Sequence, residues 1–224
     1  MASVHEGHRE RVKTQFGEYG GESMTDIQYI EMLLFYAVPR RDTNELAHAL
    51  LERFGSFRGV LDAELQELQS VKGIGQNAAL LMKTVREAVR RYSLGSNKDV
   101  RYVFTSSDAG DYFVPILQYE QEEKAFVLCL GPKGEVISCK QISSGTHGSV
   151  NISIRQIVDE AVRRCCTKIV LAHNHPNGYA IPSVEDRMFT TELERALKLM
   201  EIKLMDHIIV AGGDYVSFAQ SGYR

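Results

Sequence analysis

The chain has 224 residues, enough for one or two domains with a real core, and ordinary globular apolar and charged fractions. Its formal net charge of -3 steers nothing globally toward nucleic acid, and no stretch is long and apolar enough to span a membrane. The opening MASVHEGHRERVK lacks the apolar run of a secretory signal, so a cytoplasmic location is expected, with no membrane partner. The four cysteines, at 129, 139, 165 and 166, form no C-x-x-C pair, so buried reduced thiols are expected.

In chain order, residues 26–39 carry apolar side chains at helical spacing and stop at Pro39. Thr43 and Asn44 suit the cap of a second helix, NELAHALLERF, ending at Gly55. ELQELQ (64–69), the turn VKGIGQ and a longer helix over about 77–92 follow. The polar, Gly- and Ser-containing SLGSNKD (93–99) is expected to be a linker. Beyond it the pattern changes. AFVLCL (125–130) and GEVISCKQI (134–142) flank Gly-Pro-Lys-Gly as a hairpin. A helix is expected over 152–166, and the apolar KIVLA (168–172) should be a buried strand leading into HNHPNG. A helix over 183–200 precedes two closing strands, DHIIVAG and DYVSFAQ. The fold class is therefore α/β: a helical domain over 1–95, then an α/β domain over 100–224.

The chemistry concentrates after KIVLA. His173 and His175 stand in H-x-H spacing at a strand end and project from the same side. Pro176 stops the strand, and the Pro182-Ser183 step starts a helix whose first turn holds Asp186. Two imidazoles and a carboxylate leave a fourth tetrahedral position open, the pattern of catalytic zinc, whose bound water has a pKa near 7. Hydrolysis also needs a proton acceptor, and Glu120, Glu122 and Glu123 precede AFVLCL. Ser183 is a candidate donor to an oxyanion. Each residue alone has a structural explanation, Ser183 and Asp186 as a capping box above all, but the joint pattern is hard to explain as packing.

H-x-H-P-x6-S-x-x-D resembles the JAMM motif of the MPN (JAB) metalloprotease family. More narrowly, nearly the whole chain resembles the RadC family. The residues that carry this are HNHPNG with PSVED, Ser144-Gly145-Thr146, Ile154-Arg155-Gln156-Ile157 and Asp206-His207-Ile208-Ile209-Val210, with EMLL, LLERFGSF and VKGIG earlier. The resemblance implies a cytidine-deaminase-like α/β fold with one zinc ion on His173, His175 and Asp186. It also implies a catalytic Glu that aligns best on Glu123, with Glu122 as rival. Related enzymes cleave peptide and isopeptide bonds, so the implied partner is a protein or peptide substrate. One departure is Asn177, where the family usually has Ser; it is not a ligand position.

Val71-Lys72-Gly73-Ile74-Gly75 resembles a helix-hairpin-helix turn, in which glycines and exposed N–H groups meet a phosphate. Lys72, Gly73, Gly75 and Lys83 are the candidate nucleic-acid contacts, with Arg86, Arg90 and Arg91 as a further local patch. Against this, residues 1–98 hold 13 Lys+Arg and 13 Asp+Glu, far from a basic footprint. DNA or a docked protein both remain candidate partners for this region. Ile74, Leu80, Leu81 and Val85 are expected in the core. The rival function is thus a DNA-associated binding module or structure-specific nuclease with a secondary metal site. A zinc deaminase is excluded, because H-x-E with a downstream P-C-x-x-C is absent.

Overall fold

The computed structural model describes residues 7–39, 42–95, 100–145, 152–176 and 178–223. Its contacts divide the chain into two units, Met1–Arg91 and Tyr92–Arg224.

The first unit is helical. It runs through α1 (His8–Tyr19), a 3-10 turn (Gly21–Ser23), α2 (Asp26–Ala37), α3 (Asn44–Phe54), α4 (Phe57–Asp62), α5 (Leu65–Ser70) and the start of α6 (Gln76–Gly95). Thr25 and Gln28 close a capping box on α2, and Gly55 ends α3 in the left-handed region at φ 77°. At the start of α3 the Asn44 N–H donates to Asp42 Oδ1 at 2.9 Å, so Asp42 does the capping expected of Thr43. Ile30, Leu34, Leu50, Val60, Leu68, Ile74 and Met82 form the core. Ile74 lies there as expected, with Val85 packed against it, but Leu80 does not: it is 44% exposed. The helical period turns it away from the stripe of Ala78, Ala79 and Met82.

The second unit is mixed α/β. It contains α7 (Ser106–Leu117), β1 (Glu123–Leu130), β2 (Val136–Gly145), α8 (Ile154–Arg163), β3 (Lys168–Asn174), α9 (Val184–Lys198), β4 (Lys203–Ala211), β5 (Asp214–Ser217) and α10 (Phe218–Ser221). The sheet order is β2-β1-β3-β4-β5, with β3 and β4 parallel across the α9 crossover and the other pairs antiparallel. One face buries Leu128, Leu130, Val170, Ala172, Ile208 and Val210 against Phe113 and Leu117 of α7. The other buries Val127, Cys129, Ile169 and Leu171 against Ile157 and Ala161 of α8 and Leu193 and Leu197 of α9. Burial on both faces explains why β1 and β3 read as continuous apolar runs.

Four further expectations are corrected. α6 continues to Gly95, since Ser93 and Leu94 hold nothing that breaks a helix; residues 96–99 of the expected linker lie outside the described residues. α8 stops at Arg163, short of 166, because Cys165 adopts φ 50°. Phe218-Ala219-Gln220 belongs to a helical turn, not a strand, because the Ser217 hydroxyl accepts from the Gln220 N–H and caps it. Cys129 and Cys166 are buried and Cys139 half-buried, but Cys165 is exposed. Among the described residues no helix is long and apolar enough to cross a membrane.

Gly110 in α7 lies beneath the Tyr215 ring, where an added Cβ would come within 2.5 Å of three ring carbons. Gly110→Ala should therefore destabilise the chain by about 1–3 kcal/mol through overpacking. A urea-unfolding midpoint equal to that of the parent would contradict this.

Candidate metal centre

The site begins with strand register. β1 and β3 pair antiparallel with Ala125 opposite His173. Extended two residues further, this register sets Glu123 opposite His175. Side chains two apart share a face, so Glu123, His173 and His175 rise from the same side of the sheet, while Glu122 falls on the other. The Glu123, His173 and His175 ligand atoms lie within 4.8 Å of one another. The small Ala125 beside His173 leaves the imidazoles room to converge. Glu122 is exposed, and Glu120 is ion-paired with Lys124.

Asp186 arrives from α9. Ser183 is the N-cap: its hydroxyl accepts from the Asp186 N–H at 3.0 Å, and Asp186 Oδ2 accepts from the Ser183 N–H at 2.8 Å. That capping box fixes the carboxylate at the helix start. Its two oxygens then face the histidines, with His173 Nε2 3.2 Å from Oδ1 and His175 Nε2 3.6 Å from Oδ2. The two Nε2 atoms are 3.1 Å apart. Capping and convergence on the histidines are thus one arrangement. The Ser183 hydroxyl hydrogen is committed to Asp186 Oδ2 at 2.6 Å.

The electrostatics follow from this crowding. Burial pushes the Asp186 carboxyl up, but the adjacent His173 and His175 rings and the Ser183 hydroxyl outweigh it and hold the group well below the usual carboxylate range. His175 is raised by its bond to Asp186; burial opposes this, and the Tyr179 carbonyl and the Glu123 charge support it. The Tyr179 carbonyl can only accept, so His175 carries a hydrogen on Nδ1, which it donates at 3.2 Å, and presents Nε2 to the centre. A close array of two imidazole nitrogens and carboxylate oxygens is a donor set that fits a borderline divalent cation.

Two residues to which the sequence assigned no role complete the setting. Asn174, between the histidines, turns away from them and is 2% exposed. Its Oδ1 accepts from the Lys124 N–H at 2.8 Å, and its Nδ2 donates to the Glu122 carbonyl at 3.0 Å and the Glu120 carbonyl at 3.3 Å. It therefore clamps the backbone on both sides of Glu123. His207 meets His173 from β4, with Nδ1 of His173 and Nε2 of His207 2.9 Å apart. Only its position in the Asp206-His207 pair marked it in the sequence. Thr146 and Asn177 lie outside the described residues.

A family model described as RadC-like JAB domain matches residues 103–223. The chain belongs to the RadC-like JAB family. The matched span holds β1, β3, α9 and every residue of the candidate centre, so the JAB domain and the converging side chains coincide.

The candidate nucleic-acid residues lie in the helical unit. Lys72 is exposed in the turn before α6, and Gly73 needs its φ of 97° with Leu46 packed close behind it. Lys83 donates to the Ala63 carbonyl at 2.9 Å, Arg86 pairs with Asp62 at 2.7 Å, and Arg90 and Arg91 both pair with Glu87. Hydrogen bonds from Arg90 and Arg91 hold Glu87 down to about 2. The basic side chains of α6 are thus engaged within their own unit.

Asn174→Ala leaves three backbone groups around Glu123 without their partner, so it should destabilise the chain by about 1–3 kcal/mol. Asn174→Asp should restore less than half of this, since a carboxylate accepts from Lys124 but cannot donate to the carbonyls. Equal stability of the parent and the Ala variant in thermal melts would refute the clamp.

Proposed function

We propose that this chain is a metal-dependent hydrolase that holds one zinc ion on His173, His175 and Asp186 and cleaves an amide in a peptide or isopeptide bond. The observation that carries this is the convergence of both Nε2 atoms with the two Asp186 oxygens, beside the Glu123 carboxylate, in a JAB domain. Zinc in that position would supply Lewis acidity and a bound water with a pKa near 7.

The chain's own residues divide the remaining work. Glu123 shares the histidines' face and is itself half-buried, so its carboxylate is placed to take a proton from the attacking water. The same carboxylate returns the proton to the departing amine nitrogen. Asn174 keeps Glu123 in that position through the backbone. Ser183 can serve a developing oxyanion only by releasing its hydrogen from Asp186, which ties that role to a rotation of its hydroxyl. Glu123 also lies close enough to the histidines to compete with Asp186 as the third ligand, and substitution separates the two roles.

His175→Ala and Asp186→Ala should lose most of the zinc, measured as metal per chain. Glu123→Gln should keep it and lose hydrolysis of a peptide and isopeptide panel by about 100-fold or more. Zinc lost in Glu123→Gln but kept in Asp186→Ala would exchange the two roles. An inactive, metal-free parent chain would refute the proposal. Ser183→Ala should lower kcat by about 10–100-fold if its hydroxyl serves the oxyanion; an effect confined to zinc affinity would reduce it to a support of Asp186.

A further inference from the structure

Behind the candidate centre lies a buried chain of side-chain hydrogen bonds that no part of the proposed chemistry uses. His173, Thr190 and His207 are each 2% exposed or less. The Thr190 hydroxyl lies 2.6 Å from the Asp186 main-chain carbonyl and 2.6 Å from His207 Nδ1. His207 Nε2 lies 2.9 Å from His173 Nδ1. His173 Nε2 then returns to the Asp186 carboxylate at 3.2 Å. The path starts and ends on Asp186 and links α9, β4 and β3.

The directions of these bonds follow from what each atom can do. A main-chain carbonyl only accepts, so the single Thr190 hydroxyl hydrogen lies on the Asp186 side. The oxygen facing His207 must then accept, which places a hydrogen on His207 Nδ1. A neutral His207 with that hydrogen offers a lone pair at Nε2. His173 meets it with a hydrogen on Nδ1, which leaves the His173 Nε2 lone pair directed at Asp186 and His175. The sequence of polarities ends in the form of His173 that a metal ion requires.

The surroundings hold His207 in place. Phe218 stacks on its ring, with centroids 4.6 Å apart and planes 20° apart. The fully buried Asp206 accepts from the His207 N–H at 2.7 Å and the Ala219 N–H at 3.0 Å, and from the Ser217 hydroxyl. Asp206 thereby ties β4 to α10, the turn that carries Phe218.

We propose that Thr190 and His207 are positioning residues that select the Nδ1–H tautomer of His173 and so prepare its Nε2 for the metal. The relay rests on the metal-binding half of the proposed function and is independent of the bond cleaved.

The test is zinc affinity by chelator competition, together with the cobalt(II) absorption spectrum, on full chains whose near-ultraviolet circular dichroism shows them folded. Thr190→Val keeps the shape and removes the hydroxyl; it should weaken zinc binding by about 10–100-fold and alter the cobalt bands. Thr190→Ser restores the hydroxyl and should restore both. His207→Phe should weaken binding to a similar degree; if that chain does not fold, the Thr190 pair decides. A folded Thr190→Val that binds zinc as tightly as the parent would overturn the relay while leaving the metal site standing. A parent chain that binds neither zinc nor cobalt would overturn the relay and the metal site together.

Discussion

The pairing of β1 with β3, Ala125 opposite His173, is the constraint on which the candidate centre depends. Strand side chains alternate with a period of two, so a slip of one residue would carry Glu123 to the opposite face and bring Glu122 to the histidines. The register is held from both ends. Apolar side chains along Val127–Leu130 and Ile169–Ala172 are buried on both faces of the sheet. At the open end, Asn174 binds the backbone of Glu120, Glu122 and Lys124. The core thus fixes the pairing, and one buried amide carries it to the last residues before the site.

Asp186 is the second point where structure and chemistry share atoms. Its backbone N–H and carboxylate form the capping box with Ser183, its carboxylate oxygens face both histidines, and its main-chain carbonyl receives the Thr190 hydroxyl. A helix N-terminus favours a negative charge, so α9 and the histidines stabilise the same ionised group. Folding of α9 therefore places the carboxylate where an ion can use it.

Much of this was legible in the sequence. The apolar runs of β1 and β3, the hairpin over Gly-Pro-Lys-Gly, H-x-H-P and Ser-x-x-Asp all follow local rules of period, turn and cap. What was not legible is non-local. His207 is 34 residues from His173 and Thr190 is 17 from His207, distances at which no periodicity speaks. Asn174 lies inside the H-x-H motif, but its work on β1 spans 50 residues or more. Which of Glu122 and Glu123 shares the histidines' face depends on register, which a single strand does not contain. Phe218-Ala219-Gln220 looked extended because its strand-like composition hid the Ser217 cap, and α7 went unread because Pro115 interrupts its pattern.

The proposed site would hold one metal ion among His173, His175 and Asp186, with Glu123 beside it and not bonded to it. Crystals of the zinc-loaded chain, measured across the zinc absorption edge, test this most directly. The account predicts one anomalous peak about 2.0–2.2 Å from the Nε2 atoms of His173 and His175 and from an Asp186 carboxylate oxygen. A peak elsewhere, or one bonded to Glu123 in place of Asp186, would contradict it.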